Sequence, residues 1–429
     1  MAMLESLRNS MRVPGLRKRL LFTVGMLVLI RVCAHIPVPG VNLDRLAEVF
    51  GAGLFQFFDI FAGGAFSKFA IVAMGVTPYI NSSIIMQLLT VVIPRLEELQ
   101  KEGEEGRKKI QQYTRYGAVV LGLVQAFGVG WALKSYGAFY NNSLTTLFVI
   151  MISLTAGTAL VMWIGEEITE KGIGNGISLI IFANIVTRLP YSISSEIQLL
   201  RAGEHNIFQP LLVAVIALIM VVFVVIINEG VRKVPVEYAK RVVGKRVYGG
   251  QRTHLPIRIN QAGVIPLIFA SSLMYFPVTI AGFFPTSRFA LFVGRYFDTR
   301  SAWFMLVNAL LIIFFTYFYT AITFNPDNVA DNIKKNGGFI PGYRPGRPTA
   351  EYLERISSRL TLVGGLFLAT VTVLPIALMG LAGVQNAYIG GSSLLIVVSV
   401  ALETTKQIEA QLVDRKSTRL NSSHGYISY

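Results

Sequence analysis

Side chains that could catalyse a reaction or bind a metal ion are few and scattered in this sequence. It has one cysteine, Cys33, and four histidines, at positions 35, 205, 254 and 424. Metal sites take several cysteine or histidine ligands at short spacing, and nucleophilic catalysis places a serine or cysteine beside a base. The sequence has neither pattern, and it has no carboxylate pair typical of acid–base catalysis. We therefore expect no metal site, no cofactor and no enzymatic activity.

The glycine-rich segment 166–178 could be compared with a nucleotide-binding loop. It reads EEITEKGIGNGIS. Its glycine spacing does not match the dinucleotide fingerprint, and the segment does not follow a predicted strand as that fingerprint does. Glycines at the start of a helix more plausibly permit close packing or a tight turn, so we interpret this segment as structural.

Charged residues well inside apolar segments are limited to Arg31 and Glu403. Proton- and ion-coupled transporters typically place carboxylates or histidines within the membrane as relay or ligand groups. Their scarcity disfavours a secondary transporter for a small solute. That function stays open as an alternative, as does a lipid-embedded scaffold without a pore.

The elements that position these residues are predicted to be membrane helices. Of 429 residues, 53% are hydrophobic and 15% are charged, whereas soluble domains carry about 25% charged residues. The apolar residues form blocks of the length, about 20 residues, that crosses a bilayer. Ten spans are predicted, at 20–37, 70–93, 117–134, 145–165, 174–190, 208–228, 261–282, 303–325, 360–380 and 391–410.

The basic residues orient these spans. The formal net charge is +15, and with a cytoplasmic N-terminus the loops on that side carry about four times as many Lys and Arg residues as the opposite loops. Both termini and two long loops, 229–260 and 326–359, are therefore expected in the cytoplasm. Such basic loops attract RNA, anionic lipid or an acidic protein surface, although their charges could also serve topology alone.

Each long loop has a distinctive pattern. Alternating apolar and polar residues in loop 229–260 predict a short hairpin. In loop 326–359, Arg344 lies among prolines and glycines, so we expect it at a rigid tip in contact with a partner.

Segment 53–67, between the first two spans, is aromatic and apolar but too short to cross a bilayer. Asp59 and the pair Gly63–Gly64 interrupt it. The pattern fits either a re-entrant half-helix acting as a movable stopper or an interfacial helix on the outer leaflet. In the next span, Pro78 is expected to loosen the helix, and the polar residues around Asn81 are expected to face protein or water.

Several motifs occur in an order that is specific to one family. They are GVTPYI at 75–80, EGEEG at 102–106, QYTRYG at 112–117, TEKGIGNGIS at 169–178, THLPI at 253–257, AGVIP at 262–266, FNP at 324–326 and PGYRPG at 341–346. Over residues 10–412 the sequence closely resembles the bacterial SecY family, the channel subunits of the Sec protein translocon.

The resemblance implies an all-α membrane protein with ten transmembrane helices in two inverted pseudo-symmetric halves of five, residues 1–190 and 191–412, and a short re-entrant plug helix. It implies a channel that moves unfolded secretory polypeptides across the bacterial plasma membrane and releases membrane helices sideways into lipid. Partners implied are the SecE and SecG subunits, the ATPase SecA, the ribosome through its RNA and protein, signal-sequence-bearing polypeptides and anionic lipids. SecA or the ribosome would drive transport.

The resemblance also implies site residues. An aliphatic pore ring would consist of Val76, Ile80, Ile177, Ile181, Ile268 and Ile396. The plug would include Phe55, Phe57, Phe58, Asp59, Ile60, Phe61, Gly63 and Gly64. Gln87 and Asn260 match polar positions of a lateral gate. Docking of SecA or the ribosome would use Arg344, with Lys240, Arg241, Lys245 and Arg246 as weaker candidates.

The C-terminal segment 413–429 departs from the family pattern. It changes composition abruptly and reads like translated cloning sequence. We expect this tail to be non-native and disordered.

Overall fold

A computed structural model describes residues 11, 13–42, 45–46, 62–203, 206–238, 241–243, 246–248, 252–283, 287–298, 301–381 and 391–424. Its helices are α1 Pro14–Cys33, α2 Thr77–Val92, α3 Pro94–Lys101, α4 Glu104–Ser135, α5 Leu144–Lys171, α6 Gly176–Arg201, α7 Phe208–Glu229, α8 Ile265–Phe283, α9 Arg288–Tyr296, α10 Ala302–Thr323, α11 Pro326–Lys335, α12 Arg347–Leu381 and α13 Gly391–His424. The strands are β1 Val231–Tyr238, β2 Arg241–Val243, β3 Arg246–Tyr248, β4 Arg252–Arg258 and β5 Gly338–Phe339.

The helical membrane architecture expected from the apolar blocks is confirmed. Each of the ten predicted spans overlaps a helix. Within the described ranges, six helical stretches are long and apolar enough to cross a membrane, and the pair α2–α3, bent by 100°, would make a seventh. Such helices satisfy their own backbone hydrogen bonds, which the hydrocarbon core requires.

The chain divides into two compact units. Unit 1 comprises Met1–His205, Ser272–Asp298 and Val400–Tyr429, and unit 2 comprises Asn206–Ser271 and Thr299–Ser399. The division into inverted halves at residue 190 stays a prediction.

In unit 1, small residues let the backbone of neighbouring segments approach closely. A Cβ atom added to Gly157 of α5 would lie 1.8 Å from the carbonyl oxygen of Ile71. The fully buried side chains of α5 include Leu154 and Ile164. A glycine is therefore required where α5 meets the turns that precede α2.

The start of α2 corrects the prediction for the second span. The helix begins at Thr77 rather than at residue 70, and the described residues before it form turns. Gly75 has a φ of +56°, a left-handed conformation that glycine adopts without strain. Pro78 lies in the first turn, where a proline needs no hydrogen-bond donor. It therefore begins the helix, and the expectation that it loosens the helix was wrong.

Unit 2 contains a small sheet that joins the two long loops. β1 pairs antiparallel with β4, with Val231 opposite Arg258, which confirms the predicted hairpin. β5, from the second long loop, adds to the other edge of β1, with Glu237 opposite Phe339. β2 and β3 form a separate hairpin. Beneath the three-stranded sheet lies a core cluster of Val234, Val236, Ile257, Ile333, Ile340 and Leu353.

The C-terminal tail is helical over most of its length. Helix α13 continues to His424, so the expected disorder of the tail was wrong as far as that residue. Residues 413–424 contain neither glycine nor proline, and nothing in the local sequence stops the helix. Residues 425–429 lie outside the described ranges, and the non-native origin of the tail stays a prediction.

Candidate pore lining, gate and docking face

Unit 1 contributes four of the predicted ring residues. Val76 caps α2, and the amide of Ile80 donates to its carbonyl oxygen over 3.0 Å, so the two residues are one turn apart on one face. Ile177 and Ile181 are likewise one turn apart on α6. Val76, Ile80 and Ile181 are buried, whereas Ile177 is partly exposed.

Ile177 also packs against α5. Its Cδ1 atom lies 2.5 Å from the position that a Cβ atom on Gly165 would take. This contact explains the glycine on α5, and it means that Ile177 has a packing role in addition to any role in a pore.

Unit 2 contributes Ile268 on α8 and Ile396 on α13. Both side chains are buried. Next to Ile268 in sequence, Phe269 makes an edge-to-face contact with Phe315 of α10, with centroids 5.7 Å apart. A ring formed by all six residues stays a prediction.

Six of the predicted plug residues lie outside the described residues: Phe55, Phe57, Phe58, Asp59, Ile60 and Phe61. The described end of the segment is a turn at Gly63 and Gly64, whose φ angles are +62° and +86°. The carbonyl oxygen of Gly63 accepts a hydrogen bond of 3.1 Å from Nη1 of Arg31. Phe66 and Phe69, which follow, are buried and pack edge to face. The described end of segment 53–67 is thus anchored in unit 1.

The two gate candidates have different environments. Nε2 of Gln87 on α2 donates to Oγ of Ser83, one turn earlier, over 3.3 Å. Asn260 is 6% exposed. Its Nδ2 donates to Oδ1 of Asn228 over 2.9 Å and to the carbonyl oxygen of Gly263 over 3.2 Å.

Asn260 therefore belongs to a polar network within unit 2. Asn228, at the end of α7, uses its Nδ2 to donate to Oγ of Ser399 on α13 over 2.8 Å. The network connects α7, the segment before α8 and α13. Sequence analysis missed Asn228 and Ser399 as members, although an asparagine at the end of an otherwise apolar span is a signal for such a bond.

Polar residues in the second predicted span face protein where the structure gives their bonds. The buried hydroxyl of Ser82 donates to the carbonyl oxygen of Thr114 on α4 over 2.7 Å. Gly117, one turn along α4, leaves space for this hydroxyl, because a Cβ atom there would lie 2.4 Å from it. The expectation for this residue is confirmed.

Arg344 is exposed on a rigid turn, as predicted. Gly342 and Gly346 on either side have φ angles of +86° and +103°. The carbonyl oxygen of Arg344 accepts a hydrogen bond of 2.8 Å from the hydroxyl of Thr349. Tyr343 stacks on Tyr352, with centroids 4.1 Å apart. The hydrogen bond and the ring stack thus restrain the backbone on both sides of the exposed Arg344.

Two of the weaker docking candidates lie in the second hairpin. Arg241 is in β2 opposite Tyr248, and Arg246 is in β3 opposite Val243. Lys240 and Lys245 lie outside the described residues.

The glycine-rich motif before α6 forms a tight corner, which confirms its structural interpretation. Asn175 caps α6 by accepting from the amide of Ser178 over 3.1 Å. The amide of Gly176 donates to Oγ1 of Thr169 over 2.9 Å. A Cβ atom on Gly176 would lie 1.9 Å from the carbonyl oxygen of Gly165. Close contact with α5 accounts for the glycine at position 176.

Metal-binding clusters were searched for among the described residues. In that part of the chain, no group of three or more His, Cys, Asp or Glu side chains could hold a metal ion.

Comparisons with known proteins agree on one family and one fold. Residues 70–405 match the family model for SecY. The protein translocase subunit SecY of Halalkalibacterium halodurans is 49% identical over 425 residues, which is 96% of this chain and 98% of that protein.

Two solved structures share the fold at low identity. One is a SecY protein described by a plug domain that stabilises the closed translocation channel and maintains a membrane seal, with a TM-score of 0.67, 20% identity and 92% coverage of each chain. The other is Sec61 in the canine ribosome–channel complex, with a TM-score of 0.63, 20% identity and coverage of 92% of this chain and 93% of that chain.

Proposed function

We propose that this chain, which belongs to the SecY family of protein translocase subunits, is the membrane channel through which unfolded polypeptides cross. The observation that carries the proposal is the match of nearly the whole chain, 96% of it, to a translocase subunit at 49% identity. The protein is a multi-pass membrane protein with the fold of protein-conducting channels. We further propose that it acts in the bacterial plasma membrane with both termini in the cytoplasm, as the distribution of basic residues favours.

The narrowest part of the channel is proposed to be the aliphatic ring of Val76, Ile80, Ile177, Ile181, Ile268 and Ile396. An apolar constriction excludes water and therefore blocks ions. It also offers no fixed hydrogen bond or charge that would hold a polypeptide in passage. Branched side chains can close around an extended chain, so the same ring serves as a seal during transport.

Segment 53–67 is proposed to be the plug that closes the channel on its outer side. Its described end is held by the turn at Gly63 and by the buried Phe66 and Phe69. A segment fixed at one end can leave the pore and return to it without being lost.

Gln87 and Asn260 are proposed to flank the lateral gate through which signal sequences and membrane helices reach lipid. Polar groups at such a gate raise the hydrophobicity that a segment needs in order to open it, because lost hydrogen bonds are costly in an apolar setting. In unit 2 the orientation of Asn260 is set by Asn228 and Gly263. Contacts within that unit therefore position the polar side chain proposed for the gate.

The basic loops are proposed to bind SecA and the ribosome, which supply the energy, and anionic lipid headgroups. Sec61 occurs in a ribosome–channel complex, and the exposed Arg344 is well placed to bind acidic groups or ribosomal RNA because its turn is rigid. Lys240, Arg241, Lys245 and Arg246 are proposed to add positive charge for the same docking role. SecE and SecG are proposed as the other subunits.

Reconstitution tests this proposal. The chain would be co-purified with SecE and SecG, placed in liposomes, and supplied with SecA, ATP and a signal-sequence-bearing precursor. We expect precursor that is protected from external protease. Arg344→Glu should abolish protection, whereas Lys108→Glu, the same reversal at another exposed residue, should preserve it. If the unaltered complex does not protect precursor, the channel proposal is contradicted. If Arg344→Glu transports precursor fully, only the docking role of Arg344 is contradicted.

A further inference from the structure

Helix α9 is a short helix in the loop between the seventh and eighth predicted spans. The side-chain oxygen of Ser287 caps it by accepting from the amide of Ala290 over 3.1 Å. Val293 is 1% exposed and packs in a cluster with Val278 and Ala281, near the C-terminal end of α8. Because α8 is a predicted membrane span, this packing within unit 1 holds α9 at the end of that span.

Three aromatic side chains line one side of α9: Phe289, Phe292 and Tyr296. Their spacing of three and four positions places them on one helix face. Their exposed fractions are 44, 53 and 40%, and the rings of Phe292 and Tyr296 are in contact, with centroids 4.8 Å apart. The span on which α9 packs also exposes apolar side chains, Leu273 and Phe276. Exposed aromatic rings on a helix at the end of a membrane span are typical of the membrane–water interface.

Two exposed arginines, Arg288 and Arg295, lie next to this aromatic strip. Their spacing of seven positions puts them on one side of α9, facing away from the buried Val293. The topology proposed from the basic residues places this loop on the outer side, where the positive-inside rule does not call for cations. Arginine side chains at an apolar boundary reach headgroup phosphates, which they bind with paired hydrogen bonds. The side of α9 turned away from the protein therefore matches the chemistry of a phospholipid layer.

We propose that α9 is an interfacial lipid anchor of the outer leaflet. Its aromatic strip enters the boundary between headgroups and acyl chains, and Arg288 and Arg295 bind lipid phosphates, with anionic phospholipids preferred. Through Val293 the anchor fixes the depth of the outer end of α8. This surface is separate from the basic cytoplasmic loops, and its contact with lipid requires membrane insertion but no transport.

Fluorescence quenching by lipids tests the aromatic strip. In the complex with SecE and SecG, Cys33→Ala removes the one cysteine of the chain, and Phe292→Cys then carries an NBD fluorophore. The matched control is Gly294→Cys, almost opposite on the same helix, where an added Cβ atom has no other atom within 4 Å. In liposomes whose lipids carry a nitroxide near the headgroup, we expect quenching several-fold stronger at position 292 than at position 294. Equal quenching at the two positions would overturn the anchor.

Quenching by different headgroups tests the two arginines. At equal mole fraction, spin-labelled phosphatidylglycerol should quench the probe at position 292 several-fold more strongly than spin-labelled phosphatidylcholine. Arg288→Gln combined with Arg295→Gln should abolish this difference. Arg201→Gln should preserve it, because Arg201 is exposed at the end of α6, beyond the predicted end of the fifth span. A preference that survives in the double variant, or that is absent from the unaltered chain, would refute the phosphate-binding role.

Photo-crosslinking keeps the proposal testable if Cys33→Ala does not fold. A photoreactive amino acid would then replace Phe292 in the chain that retains Cys33. Crosslinks to phospholipid would support the anchor. Crosslinks to another subunit or to a second copy of the chain, without any to lipid, would show that a protein covers α9 and would overturn it.

Discussion

The hydrogen bond between Asn260 and Asn228 allows a quantitative test of the polar network in unit 2. Asn260→Leu removes two donated bonds, of 2.9 and 3.2 Å, and Asn228→Leu removes the first of these and the bond to Ser399. At about 0.5–1.5 kcal/mol for each bond, either change should lower the free energy of unfolding by roughly 1–3 kcal/mol.

The two changes share one bond, so their costs should not add. We expect the double variant to cost about 0.5–1.5 kcal/mol less than the sum of the single variants. The measurement is reversible unfolding in mixed micelles, followed by circular dichroism. Asn308→Leu is the matched control, because Asn308 is a buried asparagine of unit 2 whose Oδ1 has no partner among the described residues. Asn308→Leu should leave the free energy of unfolding unchanged or raise it, and its effect should add to that of Asn260→Leu.

The same variants test whether the Asn228–Asn260 network affects the proposed lateral gate. Asn260→Leu should change the hydrophobicity threshold for membrane insertion, measured with a series of test segments. Asn228→Leu should change it in the same direction, because Asn228 orients Asn260. If the unfolding costs of Asn260→Leu and Asn228→Leu add to within about 0.3 kcal/mol, the network is refuted. If both variants leave the insertion threshold unchanged, the role of the network at the gate is refuted.

Two further predictions concern packing and the docking turn. Gly157→Ala should destabilise the chain by about 3 kcal/mol or more in a thermal unfolding assay, because the added Cβ atom would lie 1.8 Å from a backbone oxygen. Gly25→Ala is the control. A Cβ atom at Gly25 would have no other atom within 4 Å, so this change should be neutral in the same assay. Thr349→Val removes the bond to the carbonyl oxygen of Arg344 and should weaken SecA binding several-fold while Thr370→Val, an exposed control on the same helix, does not. Equal stability of the two glycine variants, or equal SecA binding by the two threonine variants, would contradict these explanations.

The helices were predictable from the sequence because each apolar block is long enough to cross a membrane. The errors lie where local conformation overrides composition. The apolar residues 70–76 extend the second block, but the left-handed Gly75 and the N-terminal Pro78 delay the helix to Thr77. A hydropathy average does not detect such a helix start, because the start depends on the backbone preferences of glycine and proline.

Contacts between distant residues were not predictable from one sequence. The pairing of β5 with β1 joins residues about a hundred positions apart, and Asn228 meets Ser399 across an even longer separation. Arg31 was recognised as an unusual charge, but only the structure identifies Gly63 as its partner. The ring, plug, gate and docking residues came from family resemblance, since an isoleucine in an apolar span is ordinarily core or lipid-facing.

Site-specific photo-crosslinking to a stalled secretory polypeptide tests the channel most directly. A probe would replace Ile80, Ile177 or Ile396 in turn, and Leu218, which is 66% exposed on the apolar α7, would serve as the lipid-facing control. We predict crosslinks from all three ring positions and none from Leu218. A folded complex with an engaged polypeptide but no crosslink from any of the three would contradict a polypeptide pore lined by these residues.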